Sequence, residues 1–363
     1  MLPLIMEIYL KSPQVTLYHG DCLDTLRLLP DDSVNLILTD PPYHSTKKAN
    51  ITGDKDFKHD QDYLTWLDTI AEQWQRVLAP NGSLYCCASL KMAARIEVML
   101  AERFNVLASI TWTKPNAPGY DGWKQKTNKE SLRSWYLHSE RIIFAESASP
   151  EEAKQTTRRC SSRSAATTSL SAFGSLLRKT RLAAGLSTIQ LTEAIGEYGS
   201  VNHGGAVSNW ETGRNIPSPE QYQKLKSVFA KLSSQVPELP DYEKIIRPFC
   251  VTANIPYTDV WDFPTVKPYP GKHPAEKPLD LITHIIKASS YPGDVVLDCF
   301  AGSGVVGQAA KMLGRKAILV EIEERWCHKI ALRCSEPSEL LPEVKKSAFD
   351  WQKEPLFQLL NDG

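Results

Sequence analysis

Asp40-Pro41-Pro42-Tyr43 places a carboxylate, a fixed backbone carbonyl and a flat aromatic ring within four residues. Consecutive prolines fix φ and remove two backbone donors. They leave the Asp40 carboxylate and the Pro41 carbonyl as rigid acceptors, with Tyr43 beside them as a stacking face. That set suits an exocyclic amino group on a heterocyclic base. Such an amine is a poor nucleophile because its lone pair delocalises into the ring. Accepting hydrogen bonds from both N–H groups favours sp³ character and frees the pair. Taken alone, the four residues also read as an ordinary Pro-Pro turn.

A second constellation lies far along the chain. Asp294-Val-Val-Leu-Asp298-Cys-Phe300-Ala301-Gly302-Ser303-Gly304 reads as a strand, a small-residue turn and the start of a helix. Gly302 and Gly304 permit positive φ and close backbone approach to a ligand. With Gly307 they also fit G-x-G-x-x-G, and Glu321 ends the next strand, as in a dinucleotide fingerprint. Asp298 argues against that reading, because a carboxylate ahead of the glycines repels a pyrophosphate and suits a ligand carrying a positive ammonium. The glycines also fall after residue 290, whereas the fingerprint usually opens a domain. Glu321 suits two ribose hydroxyls in either case, and a purely structural turn stays open on this stretch alone.

These groups need elements to position them. Residues 15–40 read as strand, helix and strand, the last an apolar run over 34–39 that stops at Asp40. Residues 62–79 have the apolar spacing of an amphipathic helix. Asn81-Gly82 reads as a turn, 83–88 as a strand, 91–101 as a helix, and 109–113 and 141–145 as strands. After residue 290 the pattern resumes: strand 294–297, helix 305–313, strand 317–320, helix 323–334. Such alternation predicts an α/β fold with a parallel, doubly wound sheet, built from two chain segments around a helical insertion. The divisions are 1–146, a Ser/Thr-rich linker at 147–172, helices over 173–232, a connection at 233–258, the second sheet segment at 259–340 and a tail at 341–363.

The chain has 363 residues with 42 Lys+Arg and 42 Asp+Glu, so any polyanion-binding surface must be local. One stretch fits. Residues 154–214 carry eight basic residues against three acids, 8 − 3 = +5, as phosphate binding requires. A loop with Lys114, Lys124, Lys126, Lys129 and Arg133 is a second candidate, with a solvated loop as its plain alternative. No apolar run approaches the roughly 18 residues of a membrane span. Eight cysteines without metal-ligand spacing fit a reduced, cytoplasmic protein, and no metal is expected.

Taken together, the motifs carry a resemblance. The chain resembles the β-class of DNA amino-methyltransferases that use S-adenosylmethionine, over roughly 15–146 and 259–335, and residues 259–304 resemble those carried by phages and prophages. Beyond the two constellations, matching segments are His19-Gly-Asp21-Cys22, Trp112-Thr-Lys-Pro-Asn116, His273-Pro-Ala-Glu-Lys277-Pro278 and Gly314–Glu321. The resemblance implies a Rossmann-like methyltransferase fold and methylation of double-stranded DNA on adenine N6, with cytosine N4 as the alternative. It implies catalytic roles for Asp40, Pro41, Pro42 and Tyr43. It places Asp298, Phe300, Ala301, Gly302, Ser303, Gly304 and Glu321 at the cofactor, Asp21 and Cys22 near its adenine, and Lys277 and Pro278 over its methionine part. His273 reads as a loop residue. A homodimer and a restriction endonuclease are further partners found in the class. Two rivals remain: a nicotinamide oxidoreductase using the glycine turn, and a DNA-binding regulator with a silent core.

Residues 173–230 resemble the helix-turn-helix of Cro and phage-repressor type, best at Trp210-Glu-Thr-Gly213-Arg214. Ser187 with Gln190 and Ser218 with Gln221 have capping-box spacing. The resemblance implies Arg178, Lys179, Arg181, Ser208, Asn209 and Arg214 as DNA contacts, to which the loop adds Lys124 and Lys126. Gly204-Gly205 stand where base-reading polar residues are expected, and a scaffold-only insertion is the plain alternative.

Overall fold

The computed structural model describes residues 7–44, 57–115, 133–135, 137–147, 172–197, 205–232, 236–249 and 258–335. The first segment gives β1 (Glu7–Lys11), β2 (Val15–His19), α1 (Cys22–Leu28), β3 (Val34–Thr39), α2 (Asp60–Val77), β4 (Leu78–Ala88), α3 (Ala93–Ala101), β5 (Phe104–Thr113) and β6 (Ser139–Ser147). The insertion gives α4 (Ala172–Ala183), α5 (Thr188–Ala194), α6 (Gly205–Glu211), α7 (Pro219–Ala230) and α8 (Tyr242–Ile245). The second segment gives β7 (Val260–Asp262), α9 (Leu279–Ser289), β8 (Val295–Asp298), α10 (Val305–Met312), β9 (Lys316–Glu321) and α11 (Glu324–Ser335).

The described strands form one sheet in the order β1-β2-β9-β8-β3-β4-β6-β5-β7. It is mixed rather than wholly parallel. β6 runs antiparallel to both β4 and β5, because the chain leaves β5 and re-enters β6 at the same edge without a crossover. β1 is antiparallel to β2 through a three-residue connection for the same reason. The other pairings are parallel.

Period-two alternation sorts the strand side chains into two layers. Leu36, Leu38, Tyr85, Ile142 and Leu319 meet α9, α10 and α11 on one face. Ile37, Leu84, Cys86, Ile143 and Leu297 meet α1, α2 and α3 on the other. The expected turn at Asn81-Gly82 is instead an irregularity inside β4, where the register slips between Val34↔Leu78 and Leu36↔Ser83. A Cβ on Gly82 would stand 2.5 Å from Leu78 Cδ1, and Asn81 Nδ2 donates to the Glu243 carbonyl at 2.5 Å.

The insertion has its own core of Phe173, Leu177, Leu191, Val207, Trp210, Tyr222 and Leu225. Both capping boxes form, at Ser187/Gln190 and Ser218/Gln221. Among the described residues no helix is long and apolar enough to cross a membrane, and no His/Cys/Asp/Glu group of metal-ligand type occurs. All six described cysteines are free and buried.

Candidate active site

The sheet has a switch point between β8 and β3, where the two chain segments meet and diverge. In open α/β sheets ligands bind at such a point, outside the carboxyl ends of the strands. Asp21, Glu321, Asp298 and Asp40 sit at or just beyond the carboxyl ends of β2, β9, β8 and β3, four neighbours in the sheet. Thr39 Oγ1 donates to Asp298 Oδ1 at 3.1 Å, tying the tetrapeptide to the glycine turn across 259 residues of sequence.

The turn is held from within. The amide of Phe300 donates to Asp298 Oδ1 at 3.1 Å, and that of Gly302 to Glu321 Oε2 at 2.8 Å. Glu321 Oε1 accepts from the Glu323 amide at 2.8 Å, and the Glu321 carbonyl accepts from the Gly20 amide at 3.0 Å. Asp21 caps α1, accepting from the amides of Leu23 at 2.8 Å and Asp24 at 3.4 Å, with Cys22 buried behind it. Gly302 and Gly304 have φ of +47° and +75°, and a Cβ on Gly302 would stand 3.0 Å from the His273 ring. Ala301 is buried, while Phe300 and Ser303 are half-buried. The Phe300 ring packs on Trp66 at 5.7 Å between centroids.

On the amine side, Pro41 is buried and Pro42 and Tyr43 are half-buried. Tyr43 donates its hydroxyl to Glu140 Oε2 at 2.7 Å. The Lys277 ammonium donates to Asp40 Oδ2, stands 3.7 Å from Glu140 and lies 5.3 Å from the centre of the Tyr43 ring. Lys114 also bonds Glu140 and lies over the Trp112 ring at 4.8 Å. The second Asp40 oxygen, Oδ1, is buried with no hydrogen-bond partner among the described residues. Pro278 is the N-cap of α9.

The Lys277 ammonium is seated on the Asp40 carboxylate, on the amine side of the crevice, because the Asp40 and Glu140 carboxylates draw it there. Glu140 was missed by the motif reading: it stands alone at the start of β6, and only the reversal of that strand carries it to the carboxyl edge.

Burial dominates the electrostatics of the glycine-turn side, whereas Asp40 and Glu140 share the Lys277 cation. Burial pushes the carboxyls of Asp298 and Glu321 up to about 7. Asp40 is also raised by burial, against the pull of Lys277. Burial opposes the Lys277 charge, but Asp40 and then Glu140 hold its proton above the usual lysine range. Glu140 is pushed up by burial, yet Lys277 and Lys114 bring it below the ordinary carboxylate range. His273 is driven down to about 4, by burial first and then by Lys277.

Of the residues expected to meet DNA, Lys124 and Lys126 lie outside the described residues. Arg178 and Lys179 are exposed on α4, and Ser208 and Asn209 are half-buried on α6. Arg214 is exposed and lines a cavity of about 400 Å³ between the insertion and the sheet. Arg181 must be corrected. Its guanidinium is buried and donates to both Glu211 oxygens, at 2.5 and 3.0 Å, and to the Leu186 carbonyl at 2.7 Å. A neutralised, enclosed cation cannot reach a phosphate. It locks α4 to α6, and the pair cancels one charge of each sign in the basic stretch.

A doubly wound sheet with an acidic crevice at its switch point is of Rossmann-like methyltransferase architecture. The model of the N6/N4 DNA methylases matches residues 34–332, and the chain belongs to that family. It is 26% identical over 321 residues to the DNA adenine methyltransferase YhdJ of Escherichia coli, covering 88% of this chain and 81% of that protein. It is 23% identical to the type II methyltransferase M.HinfI of Haemophilus influenzae, covering 86% of this chain and 66% of that one. The fold matches the cytosine-N4-specific PvuII DNA methyltransferase with a TM-score of 0.52 at 15% identity, over 91% of this chain and 89% of that one.

Proposed function

We propose that this DNA methyltransferase acts on the exocyclic amine of a base extruded from duplex DNA, adenine N6 in the first place. The observation that carries the reading is the unpartnered Asp40 Oδ1, buried at the strand end next to Asp298. S-adenosylmethionine, the donor used by this family, supplies an electrophilic methyl on a sulfonium centre. The residues present fit it. Two buried acids at the switch point, Asp298 and Glu321, both raised to about 7, favour a ligand with positive charge and disfavour a pyrophosphate. This weighs against a nicotinamide cofactor in the glycine turn.

In this reading Asp298 and Glu321 hold the ammonium and the ribose hydroxyls. Asp21, Cys22 and the turn from Phe300 through Ala301 and Ser303 to Gly304 complete the cofactor wall. Asp40 Oδ1 and the Pro41 carbonyl accept the two amine N–H groups, Pro42 keeps that carbonyl fixed, and Tyr43 stacks on the base. With the donor bound, its methyl would pass to the amine nitrogen as the carbon–sulfur bond breaks, and Asp40 would take the proton the amine must lose. Preorganised acceptors and positioning carry such a reaction, with base extrusion costing a few kcal/mol.

The Asp-first tetrapeptide leans to adenine in the resembled class, and YhdJ is named for adenine. The helix-turn-helix reading of 173–232, with Arg178, Lys179 and Arg214 as phosphate contacts, belongs to the same proposal. So do the phage type, the cytoplasmic location, a homodimer and a restriction partner, the last alone supported by the type II name of M.HinfI. Expression in a methylation-free host, followed by digestion to nucleosides and mass spectrometry, tests the base. N6-methyladenine that disappears in Asp40→Ala is expected. N4-methylcytosine would select the alternative, and methylation surviving Asp40→Ala would overturn the catalytic assignment.

A further inference from the structure

The strands act as a ruler across the molecule. Asp40, Asp298 and Glu321 mark the carboxyl edge of the parallel strands, and antiparallel β6 begins at that edge with Ser139 and Glu140. β6 ends at the opposite edge, where Glu146 pairs with Ser83 and Asn105. The six steps from Glu140 to Glu146 span about 20 Å at about 3.4 Å per residue.

The insertion docks at this far edge. Asn81 donates to the Glu243 carbonyl. Arg247 Nε donates to Glu146 Oε2 at 2.7 Å, and its guanidinium lies over the rings of Phe144 at 5.1 Å and Phe249 at 5.2 Å. Phe173 and Ile245 line a cavity there together with Pro80 and Leu107. The docking groups therefore come from the strand ends remote from Asp40. On α4, Arg178 and Lys179 are exposed, and the helix AFGSLLRKTRLA contains no acid.

We propose that the helical insertion grips a stretch of duplex DNA other than the one whose base reaches Asp40, so that a single chain holds two duplex segments. The partner is recognised by its phosphate backbone, through the cationic face of α4. The proposal rests on the reading of the insertion as a DNA-binding unit and goes beyond it in separating that contact from the substrate path. A methyltransferase built in this way would stay tethered to DNA, or bridge two places on it, while the catalytic crevice exchanges sites.

Stoichiometry tests it. A fluorescent random-sequence duplex of about 20 base pairs, two helical turns, is titrated into the full-length protein at about 0.15 M salt. Saturation at two duplexes per chain is expected, falling to one in Arg178→Glu/Lys179→Glu. Loss of two phosphate contacts would also lower the salt dependence of the weaker phase by about 1.8 log–log units. Saturation at one duplex, weakened by the same double substitution, would show a single DNA path and overturn the proposal. One duplex with affinity indifferent to the substitution would instead remove the insertion from DNA binding altogether, and the underlying reading with it. A thermal melt of the double variant separates either result from misfolding.

Discussion

Asp298→Asn separates the cost of a buried acid from its use. The carboxyl accepts from Thr39 Oγ1 and the Phe300 amide, both at Oδ1, and an asparagine oxygen can accept the same two bonds. What changes is charge. Burial raises the Asp298 carboxyl from the ordinary 3.8 to about 7. A gap of that size corresponds to about 4 kcal/mol at about 1.4 kcal/mol per pH unit. The sign follows from proton counting. Between about pH 4 and pH 7 the folded protein holds a proton that the unfolded chain has released, so stability falls as pH rises through that window. Ligand-free wild type should therefore lose up to about 4 kcal/mol from this group on going from pH 4 to pH 8, and Asp298→Asn should not. The assay is thermal melting against pH for both proteins, with and without S-adenosylmethionine. At pH 8 the variant should melt several degrees higher without ligand, and the donor should raise the melting temperature of wild type alone. Parallel pH profiles for the two proteins, or undiminished donor binding by the variant, would refute the reasoning.

Other substitutions probe the remaining parts. Glu140→Gln removes a negative charge that raises Asp40, so the acid limb of the kcat profile should move to lower pH, whereas Lys277→Met should move it higher; rates across pH 5–9 check the opposite signs. Gly302→Ala forces a Cβ into positive φ and to 3.0 Å from the His273 ring. The backbone strain alone is about 1–2 kcal/mol, so donor affinity measured by calorimetry should fall about tenfold. Arg181→Met leaves Glu211 buried and unpaired and should destabilise the insertion by about 3–5 kcal/mol. Limited proteolysis within 172–232 should report it, with Arg178→Ala as the unaffected control.

The sequence held most of the frame because the frame is written in local patterns. The apolar run ending at Asp40, the amphipathic spacing of α2 and the glycine turn each state their structure within a dozen residues, and the two capping boxes formed where their spacing placed them. What the sequence withheld depends on strand direction and burial. Glu140 reaches the crevice only because β6 is reversed, which no spacing announces. Lys277 was grouped by its neighbours in sequence, yet its ammonium follows the charges of Asp40 and Glu140. Arg181 read as one more cation in a basic stretch, until Glu211, 30 residues on, enclosed it. Asn81-Gly82 had turn chemistry, but pairing with β3 absorbed it as an irregularity within a strand.

The bond between Thr39 and Asp298 closes a loop of 259 residues, and that has a consequence for biosynthesis. On the ribosome, β3 and β4 emerge long before β8 exists to lie beside β3, whereas the insertion can complete its own core in the interval. The crevice is thus a late product of translation, formed by non-local pairing that pays its loop-closure entropy last. A nascent or prematurely terminated chain would carry the amine-side tetrapeptide with nothing opposite it, so the ability to mark DNA would arrive with the final strands.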